Sequence, residues 1–397
     1  MDDETWRLPG PARLIAEAVR EANRGRHAAV VLPSYLGQDR DFVDSLTSAL
    51  STALWTSGAD ARIVATDEEE SGPLIWLAQA LDIVDGPLST AYLLDHEDAA
   101  GKTALFDCTL LHTKHRQEVA GTVGRLVAES RPRSAESRPR LLMVCTRDAL
   151  PRLGADHTDV TFEPIWWWGR LSRWDVAARI RPAVESRSDP GVLRDVRLET
   201  LLEVCRWDLR LAVHLASAWD GDPGTLSPLI EEFIPASAGG PPPFTRLPRF
   251  TGRCPTGDLA DHWDDGAVDL WHDECVPVVR GIADRADTIR HAVWAAQARV
   301  LLPWIETRRQ AVAADLFRVS GKAAVRSVLG DVPDVLEVGP LFVAVRALSG
   351  RNRPPLRDAV HLLWQARNKL AHLTALTSDE QRDLIAAFAP LKLDGGR

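Results

Sequence analysis

The feature that most constrains this chain is a set of short apolar runs without polar alternation in its first 230 residues. Ala28-Ala29-Val30-Val31-Leu32-Pro33, Ala61-Arg62-Ile63-Val64-Ala65, Thr103-Ala104-Leu105-Phe106-Asp107-Cys108 and Leu141-Leu142-Met143-Val144-Cys145 are four such runs, and Val160-Thr161-Phe162 reads as a fifth. A strand with one face in water alternates with a period of two; a run without alternation needs cover on both faces. Amphipathic stretches of helix length separate them, at residues 39–55, 74–81 and 114–129. Apolar strands interleaved with helices predict an α/β domain with a mostly parallel sheet.

After residue 170 the strand-like runs stop. Residues 171–180 and 198–219 have the spacing of amphipathic helices. Then Gly239-Gly240-Pro241-Pro242-Pro243 forms a breaker that neither helix nor central strand can absorb. The expected organisation is an α/β domain over residues 1–182, a small helical subdomain over 183–234, a linker over 235–249 and an all-α helical bundle over 250–397. Within that last part, helices are expected near 269–284, 288–314, 338–349, 355–372 and 378–388. The final one opens on a capping pattern, Ser378-Asp379-Glu380-Gln381. A tandem copy, Ala128-Glu129-Ser130-Arg131-Pro132-Arg133 and Ala135-Glu136-Ser137-Arg138-Pro139-Arg140, reads as a mobile surface loop. Trp166-Trp167-Trp168 reads as core at a strand end or as a contact between domains.

Composition excludes several functional classes. With 45% apolar and 26% charged residues, the chain is of ordinary globular type. A net charge of −9 argues against a bulk electrostatic binder of nucleic acid and leaves room for a local basic site. Five scattered cysteines without a Cys-x-x-Cys pair predict a reducing compartment, no disulfides and no thiolate zinc site. His112 and His115 have no cysteine nearby. Asp258, Asp261, His262 and Asp265 read as a solvated acidic helix face, so no metal is expected. The opening residues lack a cationic and apolar leader, and no window reaches the roughly 18–20 apolar residues of a membrane span. A cytoplasmic protein without membrane association is expected.

A phosphate-gripping loop would belong after the first strand, with glycines, a lysine and a Ser/Thr for magnesium. That loop reads Leu32-Pro33-Ser34-Tyr35-Leu36-Gly37-Gln38-Asp39, with one glycine and no lysine. Gly101-Lys102-Thr103 has His96 where the motif needs glycine, and it leads into a strand rather than a helix. Other pieces resemble P-loop NTPases of the AAA+ and STAND groups. Ala104-Leu105-Phe106-Asp107 resembles a Walker B strand, Leu141 to Arg147 a sensor strand, and Trp168 to Val176 the entry to a small helical subdomain. The resemblance implies a degenerate P-loop-like fold that has lost its phosphate grip, so no nucleotide cofactor is expected. A generic α/β sheet accounts for the same residues.

The segment Leu362 to His372 places Arg-Asn-x-x-Ala-His late in a predicted helix. RNA cleavage without metal needs a base that titrates near neutral pH to activate a 2′-hydroxyl, and a cation for the charge that builds at phosphorus. His372 and Arg367 are those residue types, and Asn368 can position phosphate or imidazole. The pattern resembles the RNxxxH motif of HEPN domains. These are small helical bundles, many of them metal-independent ribonucleases of prokaryotic toxin–antitoxin and antiviral systems that act as dimers. The resemblance implies catalytic roles for Arg367, Asn368 and His372, with Glu306 as an acidic helper. It also implies an RNA substrate, a 2′,3′-cyclic phosphate product, a homodimer through the C-terminal domain and an effector role in bacterial conflict or phage defence beside a partner protein. A second reading is a non-catalytic adaptor or sensor with the same parts.

Helical spacing adds a constraint. At about 100° per residue, Leu356, Val360, Leu363, Leu370 and Ala371 form an apolar stripe with Arg367 in its middle. A buried arginine needs an interface or a partner such as Glu306. His361, Asn368 and His372 share another face. Arg367 and His372 therefore diverge on a straight helix, and converge only through a break near Leu370 or a second subunit.

Overall fold

The computed structural model describes residues 4–66, 72–83, 85–153, 157–233, 252–277, 279, 285–331, 335–348 and 354–391; the expected linker at 235–249 lies outside them. The chain divides into two compact units. One combines Met1–Asp175 with Pro241–Gly281, the other Val176–Gly240 with Ile282–Arg397.

The first unit holds the expected parallel sheet. Its strands are β1 (His27–Leu32), β2 (Ala61–Ile63), β3 (Thr103–Asp107), β4 (Arg140–Thr146) and β5 (Phe162–Trp166), in the spatial order β2-β3-β4-β1-β5. All six residues of β1 are buried, which is what a run without alternation requires. Between the strands run α1 (Pro9–Asn23), α2 (Ser34–Gly37), α3 (Arg40–Thr56), α4 (Pro73–Ala80), α5 (Thr90–Asp95) and α6 (Thr113–Ser130). α1 packs on α3 and on β1. The β1-to-β2 connection runs across the sheet in the direction opposite to the β3-to-β4 connection. Right-handed crossovers therefore put α3 and α6 on opposite faces. The outer edge of β5 is closed to further strands. Pro164 has no N–H to offer, Arg26 donates to the carbonyl of Phe162, and Arg170 donates to that of Trp166.

Residues 258–277 correct the sequence reading. Only α11 (Asp258–Asp264) is helical there. Val268–Trp271 and Glu274–Pro277 form an antiparallel hairpin, β6 and β7, where a helix near 269–284 was expected. His272 and Asp273, at φ 55 and φ 62, make the two-residue left-handed turn that suits a tight hairpin. Nor are all the acidic residues solvated. Asp269 is buried and accepts hydrogen bonds from the amides of Gly169 (2.8 Å) and Leu270 (2.7 Å); burial pushes its carboxyl up to about 7. This segment covers the tryptophan run: Trp263 meets both Trp166 and Trp168, while Trp167 packs on Trp6 and Phe42. All three are core, as one of the two expected alternatives held. Two arginines tie the repeat to the unit. Arg138 is buried on the carbonyls of Ser130, Arg133 and Gly25, and Arg133 grips Asp95. All five cysteines are buried, and none is in a disulfide.

Among the described residues the second unit contains only helices. α7 (Arg173–Glu185) leads into it, followed by α8 (Gly191–Cys205), α9 (Leu209–Ala218) and α10 (Pro223–Phe233). After them come α12 (Arg285–Leu329), α13 (Val338–Leu348), α14 (Pro354–Ala371) and α15 (Ser378–Phe388). The helix expected at 198–219 is broken. Arg206 takes φ 52, and the Asp208 carboxylate caps α9 through the amide of Leu211. α12 is itself interrupted at Gly321, φ 77. α8 packs on α12, with Arg299 bridging to Glu199 and Glu203. Leu301, Ile305, Leu341, Leu363, Leu384 and Phe388 belong to the core that α12 to α15 share. No helix among the described residues is long and apolar enough to cross a membrane.

One buried group makes the first unit acid-sensitive. His27 accepts the amide proton of Leu141 on Nδ1 (3.1 Å), so its own proton sits on Nε2, 2.8 Å from Ser130 Oγ. Burial, helped by the nearby Arg138 charge, lowers its pKa to about 3. The unfolded chain takes up this proton near pH 6.5 and the folded chain only near 3, so stability falls as pH drops through that window. Chemical denaturation at pH 7 and pH 5 should show a loss from His27 of about 2 kcal/mol. The His27→Gln variant should lack that part of the pH dependence.

Candidate functional site

α14 ends where the Arg-Asn-x-x-Ala-His segment lies. Its buried face is Leu356, Ala359, Val360, Leu363, Ala366 and Leu370, close to the predicted stripe. Beyond Ala371 the chain closes the helix with paired bonds, Leu373 N–H to Leu370 carbonyl and Thr374 N–H to Lys369 carbonyl. His372 is then the C-cap residue, and Leu373 occupies the left-handed position at φ 58. The helix end is fastened to α12. Trp294 Nε1 donates to the Leu370 carbonyl (2.7 Å), and Gln297 exchanges two hydrogen bonds with Leu376. Lys369 reaches α15 and pairs with Glu380, which also closes the capping box on Thr377.

Arg367 is exposed, contrary to the buried position its place in the stripe predicted. α13 begins at Val338, and Gly339 lies beside the Trp364 indole, where a Cβ would come within 3.8 Å of Nε1. Asn368 is half-buried and His372 exposed. None of Arg367, Asn368 and His372 has a side-chain hydrogen bond or ion pair among the described residues. α14 is continuous through Ala371, so no break near Leu370 brings Arg367 and His372 together within one chain. Five residues of helix separate their directions by roughly 140°.

Glu306 is engaged elsewhere. Its carboxylate takes two bonds from the Arg309 guanidinium and one from Gln310 Nε2 (2.9 Å), and Arg309 holds it down to about 2. Arg309 in turn donates to the Leu336 carbonyl (2.7 Å), so this pair braces the approach to α13. Glu306 stands twelve residues, roughly 18 Å of helix rise, beyond Trp294, the residue of α12 that marks the level of Leu370. The partner considered for Arg367 is thus Arg309's.

The carboxyl edge of the sheet is the other place where chemistry could gather, because ligands of open α/β sheets bind there. Asp107, at the end of β3, accepts from Thr109 N (2.9 Å) and Oγ1 (2.8 Å) and meets Arg40 at 3.5 Å. Thr146, at the end of β4, bonds Asp148, which pairs with Arg116. Gly37 leaves no room for a side chain: a Cβ would stand 2.7 Å from Thr146 Cγ2. At the end of β1, the amide and hydroxyl of Ser34 both donate to the Asp264 carboxylate (2.9 and 2.8 Å), which burial pushes above the ordinary carboxylate range. Lys102 is turned away, bonded to the Leu81 carbonyl (3.1 Å) and Asp82 (2.9 Å). Among the described residues no group of His, Cys, Asp or Glu is arranged to hold a metal ion.

Comparison with protein-family models, with curated proteins and with solved structures finds no match for this chain.

Sequence reasoning missed two features. The Ser34–Asp264 contact joins residues far apart in the chain and leaves no local signal. The rings beside the motif, Phe342, His361 and Trp364, did leave one: His361, Trp364, Asn368 and His372 are spaced three and four residues apart, on one helix face.

Leu373 offers a test of the helix closure. A left-handed leucine costs about 1–2 kcal/mol, and this one is largely exposed, so little packing offsets it. Leu373→Gly should raise stability by about 0.5–1 kcal/mol in thermal or urea melts, after allowing for the entropy glycine loses.

Proposed function

We propose that this chain is a metal-independent endoribonuclease effector of a bacterial conflict or phage-defence system, with its second unit acting as a HEPN-like domain. The observation that carries the reading is at the end of α14, where Arg367 and His372 are exposed and, like Asn368, stand without partners among the described residues. An unpaired arginine and imidazole at a helix end are free to meet RNA. A pair sealed in core would have favoured an adaptor. His372 takes the 2′-hydroxyl proton as that oxygen bonds to phosphorus, Arg367 offsets the charge on the phosphorane, and Asn368 positions the phosphate; the P–O5′ bond then breaks, the 5′-oxygen leaves with a proton from the imidazolium or water, and a 2′,3′-cyclic phosphate remains. Because Arg367 and His372 point about 140° apart, one copy supplies the arginine and a second supplies the histidine. Glu306 has no role here, since Arg309 and Gln310 already occupy it.

The first unit acts as a degenerate, NTPase-like regulatory domain. In support, the loop after β1 has no lysine, and its Ser34 donors are already given to Asp264. A second reading, a pseudo-ATPase adaptor acting through a partner protein, draws on the net charge of −9, which disfavours long electrostatic contact with RNA.

Purified protein should cleave total or transfer RNA in EDTA. Arg367→Ala and His372→Ala should each lose roughly 100-fold or more in rate while melting like the wild type. Mixing the two inactive variants should restore part of the activity, since a mixed dimer rebuilds one composite site. No cleavage by wild type would favour the adaptor.

A further inference from the structure

The surface that leads to the Arg-Asn-x-x-Ala-His segment carries a pattern the proposed reaction does not use. Phe342 of α13 stacks on Trp364 of α14, with ring centroids 5.7 Å apart and planes 10° from parallel. His361, one turn before Trp364, lies 5.9 Å from the same indole at 28° and 5.1 Å from Phe342 at 36°. The three rings are half-buried, so each rests on the bundle and keeps area in water. Near-parallel rings on two adjacent helices form an offset, stepped stack, unlike the edge-to-face contact of Phe42 against Trp167 at 89°, and the outer ring surface that stays in water is a ledge.

The ledge has polar groups at both ends. Arg346 follows Phe342 by one turn on α13, is exposed and has no partner among the described residues. Arg357 precedes His361 by one turn on α14 and meets only its neighbour Asp358, at 3.6 Å. Beyond Trp364, on the same face, come Asn368 and His372. Helical spacing puts Arg357, His361, Trp364, Asn368 and His372 within an arc of roughly 80° and a length of roughly 22 Å. An unpaired arginine, Arg346, a second that meets only an exposed neighbouring carboxylate, Arg357, an aromatic ledge and the motif thus lie in line.

We infer that this face is a binding track for single-stranded RNA, with one or two bases stacked on the Phe342–Trp364–His361 ledge and the flanking phosphates met by Arg346 and Arg357. The inference deepens the nuclease reading and rests on it for the choice of RNA. Three properties separate the track from a protein-docking face. Aromatic planes bind bases without regard to sequence, guanidiniums match phosphates, and a duplex hides the base faces that the ledge needs. A partner helix would instead want an apolar groove, and the two arginines would obstruct it. The track selects for unpaired stretches and delivers a phosphate of the same strand toward Asn368 and His372.

The test uses the full chain carrying Arg367→Ala, in EDTA, so that binding is read without cleavage. A fluorescent 15-nucleotide oligo(U) is the probe, followed by anisotropy. Trp364→Leu and Phe342→Leu keep the positions apolar and remove the stacking surface; each should weaken binding roughly 5- to 100-fold. Trp364→Phe should stay within about threefold of the parent, which a loss of fold would not allow. Arg346→Ala should reduce the slope of log affinity against log salt by about 0.7. Single-stranded DNA should compete nearly as well as RNA, and a duplex poorly. Leucine variants that bind like the parent, a duplex that competes equally, or no binding by the parent would each overturn the track. Ring-dependent binding by a chain whose wild type cuts nothing would uphold the track and sink the nuclease. Cleavage indifferent to both leucine substitutions would do the reverse.

Discussion

Everything in the first unit depends on burying β1 completely. A six-residue strand with no water on either face or either edge needs two neighbouring strands and cover on both faces. α1 and α3 supply one cover, and the reversed connection places α6 on the other. With the interior strand fixed, the carboxyl edge collects the ends of β1, β3 and β4. It therefore also collects Ser34, Asp107 and Thr146. That edge is polar and crowded with internal bonds. Each group a ligand would want is already committed to a neighbour: Ser34 to Asp264, Asp107 to Thr109, Thr146 to Asp148.

In the second unit α13 and α14 pack with the start of α13 beside Trp364. Arg367, which helical spacing assigns to the core, meets solvent one turn further along α14. His361, Trp364, Asn368 and His372 follow one another along one face, so the rings share that face with two of the three motif residues.

Much of this was legible in the sequence, for a physical reason. Strand runs without alternation and helices with a period near 3.6 report local burial, and burial is what the sheet and most of the helices are made of. The same logic failed where burial is polar. Asp269 is held inside by two backbone amides, and the hairpin it belongs to stands where a helix near 269–284 is expected. It failed again at Arg206 and Asp208, where a positive φ and a side-chain cap break what reads as one long helix. It failed at Arg367 because periodicity records a helix face and says nothing of what packs against it. For Glu306 the missing knowledge was a competing partner three residues away, Arg309.

The first unit is discontinuous: α11 and the β6–β7 hairpin come from residues 252–277, after the chain has left to build α7 through α10. Trp263 packs on Trp166 and Trp168, and Asp269 accepts the amide of Gly169. On a ribosome adding about 5–20 residues per second, the stretch between β5 and α11 takes on the order of ten seconds to make. During that interval the sheet has its strands without its last cover, and two tryptophans face water. The order of synthesis thus gives this unit a waiting time, in which a chaperone or another unfinished copy can reach the same rings.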